Sequence, residues 1–335
     1  MNVNWKIKGI LVMSLLCILS VRCSSEFSLV TEKSDQWEPA IYNDIVVYTD
    51  ERNGNMDIYG YNLSTSKEFQ ITTDPSDQWA PVIYESLIIW VDERNQNMDI
   101  YGYGLLTLKV DELNTDTDII MYEKPIGEFQ ITADPSDQWE PAIFNNFVVW
   151  TDERNGNYDI YVYNISTGEE VQITKNTEDQ YSPAIYKEIV VYTDYRGDSQ
   201  DIYGYDLSTS TEFTLTTDPE EQWNPEIYED MVVWIDERTY EGFTQENTDI
   251  YVYDLSTLQE FRITTDIEEQ WDPVVYDSLA VWTDRRDGNL NIYGYNLPPS
   301  IQELPEKEEP EDGMCLGTLL IAFVLMGGIP AYSRK

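Results

Sequence analysis

The feature that most limits how this chain can fold is a segment that occurs six times along it. The first copy, TDERNGNMDIYGYN, spans Thr49–Asn62. A Gln followed by an aromatic residue marks each repeat, at Gln36, Gln78, Gln138, Gln180, Gln222 and Gln270, so successive repeats are 42, 60, 42, 42 and 48 residues apart. A period near 42 matches a four-stranded blade of a β-propeller and exceeds that of the shorter helical-hairpin repeats.

Each repeat contains four short stretches with the composition of strands. In the first repeat they are PAIYN, IVVYTDE, DIYGYNL and EFQIT, separated by the turn sequences ND, NGN and STS. β-Branched and aromatic residues favour strands, whereas Gly, Asn, Asp and Ser favour turns. The second stretch is apolar without alternation, which is typical of a strand buried on both faces. We therefore predict an all-β fold, a six-bladed β-propeller.

The start of the repeated segment resembles a calcium-binding loop, because Asp50, Asn53, Asn55 and Asp57 could all supply oxygen ligands. The spacing departs from the EF-hand pattern, since Arg52 occupies its third position and no distal glutamate follows. A hairpin between the second and third strands requires a turn rich in Gly and Asn. Asp50 and Arg52 stand two residues apart and share one face of a strand, so we expect them to pair or to bond a neighbouring turn. We interpret the segment as a turn.

The charge and composition of the chain exclude several classes of function. The 335 residues include 63 acidic and 20 basic side chains, a net charge of −43, so a nucleic-acid partner is not expected. The chain has no histidine, which removes Ser-His and Cys-His catalysis and the commonest zinc ligand. Its three cysteines, Cys17, Cys23 and Cys315, lie outside the repeats, so no disulfide can stabilise the repeated region.

The two ends of the chain are hydrophobic in different ways. Residues 1–25 have two lysines, then an apolar run of 12 residues from Ile10 to Val21, and we predict a signal peptide. Cys23 is a candidate for lipid attachment, and simple cleavage nearby is the alternative. Residues 314–332 carry no charge and cover about 28 Å as a helix, enough for a transmembrane anchor.

The predicted anchor fixes an expected domain order. Residues 26–297 form the propeller, residues 298–313 an acidic, Pro-rich linker, and residues 333–335 a basic cytoplasmic tail. The propeller is then an extracellular, cell-surface domain attached to the membrane by its C-terminal helix. Asn62 and Asn164 lie in glycosylation sequons.

The repeat resembles the TolB-type β-propeller repeat, found in TolB and in many archaeal surface proteins. The resemblance rests on the Asp, Arg and Gly of the turn, the DIYxY strand and the LST and xIT motifs that follow, and it covers about Glu26–Leu297. It implies a six-bladed propeller. The chain lacks room for the separate α/β domain of TolB and for the hydrolase domain of the prolyl-peptidase relatives. It also lacks the histidines that hold metal in related polygalacturonate lyases.

The sixth repeat lacks a fourth strand, whereas the N-terminal segment EFSLVT (Glu26–Thr31) has the sequence of one. We predict that this N-terminal strand completes the last blade and closes the ring. Both chain ends then leave from the face that carries the turns between first and second strands. The opposite face, with the NGN turns and the connections between blades, points outward.

Two sets of residues on the outward face are candidate binding sites. The aromatic residues that follow each marker Gln could bind sugars or methylated groups, or could simply pack between blades. They are Trp37, Trp79, Trp139, Tyr181, Trp223 and Trp271. The acidic residues that precede each marker Gln could hold calcium, the one cofactor we consider, or form a solvated rim. They are Asp35, Asp77, Asp137, Asp179, Glu221 and Glu269.

Two insertions break the repeat. Residues 104–127 lengthen the second repeat by 18 residues, and an extended turn with Tyr240 and Phe243 lengthens the fifth by six. Insertions in propeller loops often carry specificity, although neutral drift explains them equally well. We predict a non-enzymatic surface module whose partner is an extracellular protein, peptide or glycan. The alternative is a carbohydrate-active enzyme, a glycosidase or lyase that uses carboxylates on the propeller face.

Overall fold

The computed structural model describes residues 33–105, 127–238, 247–286, 288 and 290–297. These residues form six antiparallel sheets, each with its strands in sequence order, and the six-bladed all-β propeller is confirmed. In blades 1 to 3 the strands are β1 (Gln36–Tyr42), β2 (Ile45–Asp50), β3 (Asp57–Asn62), β4 (Lys67–Gln70), β5 (Gln78–Tyr84), β6 (Leu87–Asp92), β7 (Asp99–Gly104), β8 (Gly127–Gln130), β9 (Gln138–Phe144), β10 (Phe147–Asp152), β11 (Asp159–Asn164) and β12 (Glu169–Gln172).

Blades 4 and 5 repeat this arrangement, and blade 6 has three strands among the described residues. Their strands are β13 (Gln180–Tyr186), β14 (Ile189–Asp194), β15 (Asp201–Asp206), β16 (Thr211–Thr214), β17 (Gln222–Tyr228), β18 (Met231–Asp236), β19 (Asp249–Asp254), β20 (Gln259–Arg262), β21 (Gln270–Tyr276), β22 (Leu279–Asp284) and β23 (Asn291–Asn296). The first strand of each blade is innermost and lines the central channel.

The apolar core lies between blades. The predicted burial of the second strand is confirmed, for residues 46–50 of β2 are all buried. One cluster joins Leu87 and Ile89 of blade 2 to Val148 and Trp150 of blade 3, and similar clusters join blades 1 and 2, 3 and 4, 4 and 5, and 5 and 6. Each of blades 2 to 5 therefore contributes one face to each of two such seams, which explains why its second strand is apolar until its last one or two residues.

The seam between blades 6 and 1 differs from the other five in its described residues. Ile292 of β23 is 74% exposed, whereas its equivalent in each of the other blades, such as Ile58, is completely buried. On the facing side, Ile41 of β1 is 61% exposed, whereas Ile83 at the same position of blade 2 is 8% exposed. Both faces of this seam thus present side chains that are at least partly buried in every other blade.

A β-bulge interrupts every innermost strand, a feature that our sequence analysis missed. In blade 1, Trp37 pairs with Thr49 and Ala40 pairs with Val47, so two residues oppose one. The bulged residue has a positive φ of 49° to 55° in each blade, although none is glycine: Glu38, Ala80, Glu140, Ser182, Asn224 and Asp272. A proline follows each bulged residue. The innermost strand tolerates it because the edge of this strand that faces the channel makes no ladder hydrogen bonds, so the missing N–H costs none.

Several predictions concern segments outside the described residues. These are the signal peptide, Cys23, the closing strand Glu26–Thr31, most of the 104–127 insertion, Tyr240 and Phe243, the linker and the transmembrane anchor. Across the part of the chain that the structure describes, no helix is long and apolar enough to cross a membrane.

Candidate functional site

The repeated turn holds an ion pair in every blade. In each of the first five blades, an aspartate at the end of the second strand lies 2.6 Å from the arginine two residues later, as for Asp50 and Arg52. The arginine also lies over a tyrosine of the third strand, with 3.9–4.2 Å from its Cζ to the ring centroid across all six blades. A glutamate of the fourth strand adds a second carboxylate, at 2.6 Å for Arg52 and Glu68. The expected pairing is confirmed.

This network determines the ionisation of its members. Burial alone would raise the pKa of Asp50, but hydrogen bonds from the Arg52 side chain and backbone outweigh it and hold that pKa below its ordinary value. Hydrogen bonds from Arg52 likewise lower the pKa of Glu68. Asn53 and Asn55 donate to Asp57 within the same turn, so their polar atoms serve the hairpin. The calcium-like residues of the turn are engaged with one another.

Most of the acidic set connects neighbouring blades. The Asp77 carboxylate accepts the backbone N–H of Met56, in the turn of the preceding blade, at 2.9 Å. Asp137, Asp179 and Glu221 accept equivalent N–H groups at the same distance, while Glu269 lies 3.6 Å from Arg285. Among the described residues, no three acidic or cysteine side chains lie close enough to hold a metal ion. The calcium hypothesis for this set stays a prediction.

The aromatic set lies at the seams and is partly buried in every blade. Trp139 contacts Tyr158 edge to face, with 4.9 Å between ring centroids, and packs with Trp79 against the core between blades 2 and 3. The Tyr181 hydroxyl donates to Gln200 at 2.7 Å, and burial raises the pKa of Tyr181 to about 12. The contacts found here are packing contacts, and a role in ligand binding stays a prediction.

The sequons coincide with turn caps. Asn62 accepts the backbone N–H of Thr65 at 2.8 Å through its side-chain oxygen, and Asn164 accepts that of Ser166 at 3.0 Å. Asp206 occupies the same position in blade 4 and makes the same kind of bond to Ser208. The N-x-S/T pattern is therefore also explained by the turn after the third strand.

Blade 5 departs from the repeat beside the extended turn. The insertion joins β18 to β19, on the face that carries all the turns between second and third strands. Arg262 at the end of β20 replaces the Gln of blades 1 to 3 and lies 2.7 Å from the buried Asp249. These two residues line a shallow depression together with Arg238, Asn247 and Ile267, and Ile267 is exposed.

A collar of aromatic side chains narrows the channel, and sequence analysis missed it. Its members end the six innermost strands: Tyr42, Tyr84, Phe144, Tyr186, Tyr228 and Tyr276. Five successive pairs have ring centroids 4.6–5.0 Å apart. The Tyr276 phenol also lies close enough to contribute to the raised pKa of Tyr42, after the larger effects of burial and Glu85. The aromatic residue that closes each PxIY-type stretch was the available signal.

Glu226 is the third feature that sequence analysis missed. It lies on β17, two residues before the collar residue Tyr228, where the other blades have Ala40, Val82, Ala142, Ala184 and Val274. Burial raises the pKa of Glu226 to about 7, and burial is its sole cause. The carboxylate is central in the molecule yet partly exposed, as expected for a side chain beside the open channel.

Comparisons with known proteins agree with the fold. Neither a sequence-family model nor a curated protein matches the chain. Among solved structures, an oligogalacturonate lyase from Vibrio parahaemolyticus superposes with a TM-score of 0.58 and 14% identity, covering 80% of this chain and 77% of that one. The putative TolB from Agrobacterium tumefaciens gives a TM-score of 0.51 with 12% identity, over 81% of this chain and 93% of that one.

A third similar structure is the β-propeller domain of the Trilobed protease from Pyrococcus furiosus, which is described as having an open velcro topology. It has a TM-score of 0.55 and 12% identity and covers 78% of this chain and 82% of that one. At these identities the likeness establishes the propeller fold and nothing about activity. The structural resemblance to TolB is thus confirmed for the fold, and membership of its sequence family stays a prediction.

Proposed function

We propose that the protein is a cell-surface binding module, attached by its C-terminal segment, that recognises an extracellular protein, peptide or glycan through its outward face. The observation that carries this proposal is the asymmetry of blade 5. Five of the six turns between second and third strands are short, whereas the turn between Asp236 and Asp249 is long and adjoins a depression with two arginines. A single distinct loop can supply an anchor that six equivalent turns cannot.

The repeated polar groups support a scaffold role for the rest of this face. The buried aspartates of the turns pair with arginines of the same blade, and most carboxylates of the acidic set accept N–H groups of the neighbouring blade. Groups committed to such contacts would lose them on binding a substrate, at a cost of about 1–3 kcal/mol for each buried group left unpaired. Recognition is therefore best placed where the repeat is broken.

A loop exchange tests the proposal. The full-length protein is applied to glycan and extracellular-peptide arrays with and without calcium, beside a variant in which residues 239–246 are reduced to the short turn of blade 1. We expect the variant to lose the ligands that the wild type binds while keeping its melting temperature. A variant without residues 106–126, which connect the described ends of β7 and β8 on the opposite face, is the matched control and should bind normally.

Two results would contradict this assignment. Binding that survives the loop exchange would move the site to the aromatic set or to the insertion in blade 2. New reducing ends or unsaturated products from an array glycan would favour the alternative, a carbohydrate-active enzyme that uses carboxylates of the propeller face.

A further inference from the structure

The collar creates an aromatic surface around the channel axis. In five successive pairs the ring centroids lie 4.6–5.0 Å apart, and the two planes are tilted by 44–54°. A cation about 5 Å from several of these centroids lies inside the ~6 Å range over which aromatic rings attract a cation.

Glu226 adds a negative charge to the same part of the channel. It precedes the collar residue Tyr228 by two positions and therefore lies on the same face of β17, roughly 7 Å further along the channel. Within the described part of the chain, the carboxylate of Glu226 has no hydrogen bond and no ion pair. A central carboxylate without a protein partner is costly, and a bound cation would relieve that cost.

We propose that the channel binds a small organic ammonium ion, with Glu226 as its counter-ion and the collar as its cation–π surface. One carboxylate supplies at most two oxygens, far fewer than the six to eight ligands that calcium takes. Aromatic rings around a cation instead favour a large, weakly hydrated ammonium group.

The other end of the channel suits the entry of a cation. The bulge positions of the innermost strands include Glu38, Glu140 and Asp272, two residues before the level of Glu226. Glu38 and Glu140 each accept a backbone N–H of the next blade at 2.8 Å, from Ala80 and Ser182. These carboxylates give the channel mouth a negative potential that draws cations inward.

Tetramethylammonium chloride is the probe for this site, titrated calorimetrically into full-length protein, with sodium chloride and calcium chloride at equal ionic strength as references. We expect saturable binding of tetramethylammonium to the wild type. Glu226→Ala installs the residue that blade 4 has at this position, Ala184, so the fold should persist while affinity falls at least tenfold. Tyr84→Phe keeps the ring and should bind normally, whereas Tyr84→Leu removes it and should weaken binding.

The control is Glu220→Ala, which removes an exposed carboxylate of the connection that leads into blade 5 and should leave the affinity unchanged. The proposal is overturned if Glu226→Ala binds tetramethylammonium as well as the wild type does. It is also overturned if the heat of sodium chloride addition equals that of tetramethylammonium, or if calcium binds to the wild type more tightly and loses this affinity in Glu226→Ala.

Discussion

At the scale of single residues, Glu226 controls a pH dependence that can be measured directly. In the folded protein the pKa of Glu226 is about 7, above the ordinary 4.5. Between pH 4.5 and pH 7 the folded state therefore retains a proton that the unfolded chain has lost. Stability from this group is therefore present below pH 4.5, declines as the pH rises to about 7, and stays lost above. Glu226→Gln should be as stable as the wild type at pH 4 and more stable at pH 8, by about 2 kcal/mol after allowance for channel water.

The measurement is the difference in unfolding free energy between wild type and variant across pH 4 to 8, because the other carboxylates titrate in both proteins. The flanking innermost strands contribute Tyr181, Tyr186, Asp272 and Tyr276 as titratable groups, and all are unchanged in the variant. Glu220→Gln removes the same charge from an exposed position and should show no pH-dependent difference. A flat difference for Glu226→Gln would contradict its central, unpaired position.

Arg154 illustrates what the repeated ion pair contributes. It binds Asp152 through Nε at 2.8 Å and Nη2 at 2.6 Å, bonds Glu170 at 2.6 Å and lies 4.1 Å from the centre of the Tyr161 ring. Asp152 is completely buried, so Arg154→Ala leaves a buried charge without its ionic partner, and we expect a loss of about 3 kcal/mol in chemical denaturation.

Arg154→Lys separates charge from geometry. Lysine restores the positive charge but cannot form the two-pronged contact or stack on the ring, so only part of the stability should return. Lys175→Ala, at an exposed position after the same blade's last strand, is the control for loss of a positive charge and should change stability by less than about 0.5 kcal/mol. Full recovery in Arg154→Lys would show that charge alone matters.

At the scale of elements, the strands of blades 1, 2 and 4 indicate which residues a closing strand for blade 6 would supply. Glu68 and Phe69 of β4 precede Gln78 by ten and nine residues, and Glu26 and Phe27 precede Gln36 by the same intervals. A Cβ placed on Gly60 would meet the Phe69 ring at 2.4 Å, so glycine on the third strand makes room for phenylalanine on the fourth. Blade 6 has this glycine as well, Gly294.

Gly294 leaves the space that Phe27 would need. Among the described residues, its nearest neighbour would be Val281, 3.3 Å from an added Cβ. If residues 26–31 complete the blade, Phe27→Ala should cost about 3 kcal/mol, as should the equivalent Phe69→Ala in blade 1, and deleting residues 26–31 should cost more. An unchanged melting temperature after the deletion would disprove closure by this strand.

The sequence predictions were correct for the elements that every repeat encodes in the same way. The local sequences IVVY and NGN are sufficient to predict a strand and a turn, so β2 and the hairpin to β3 were correctly located. The bulge at Glu38 carries no glycine, and its positive φ depends on packing around the channel. Glu226 was missed because a comparison of repeats emphasises the residues that they share. At this position five blades have Ala or Val, and only blade 5 has a carboxylate.

The candidate site was predictable in its residue types but not in its contacts. Aromatic and acidic residues beside each marker Gln were found from the sequence. The partner of a carboxylate such as Asp77 was not, because that partner is the N–H of Met56, 21 residues earlier in the preceding blade. The residue type shows which hydrogen bonds a side chain can make, whereas the identity of its partner depends on how the blades pack. Equally, nothing in the sequence of a strand end shows that Tyr42 and Tyr84 meet around one axis.

At the scale of the whole molecule, a net charge of −43 should make stability depend on ionic strength. Mutual repulsion destabilises the compact state, and salt at 0.1 M screens charges beyond about 10 Å. The acidic set adds to this repulsion, although four of its members are separately bonded to the preceding blade, as Asp77 is to Met56. Because four of these carboxylates each already serve a different seam, we expect sodium chloride and calcium chloride at equal ionic strength to raise the melting temperature equally.

Asp35→Asn combined with Asp77→Asn distinguishes screening from calcium binding. Asparagine keeps a side-chain oxygen that can accept the Met56 N–H while removing the charge, so the fold should persist and the response to sodium chloride should become slightly smaller. Under pure screening, the double variant responds equally to the two salts, as the wild type does. An additional rise with calcium in the wild type, absent from the double variant, would instead establish the acidic set as an ion site, and the four carboxylates that link blades would then have to be counted as ligands as well.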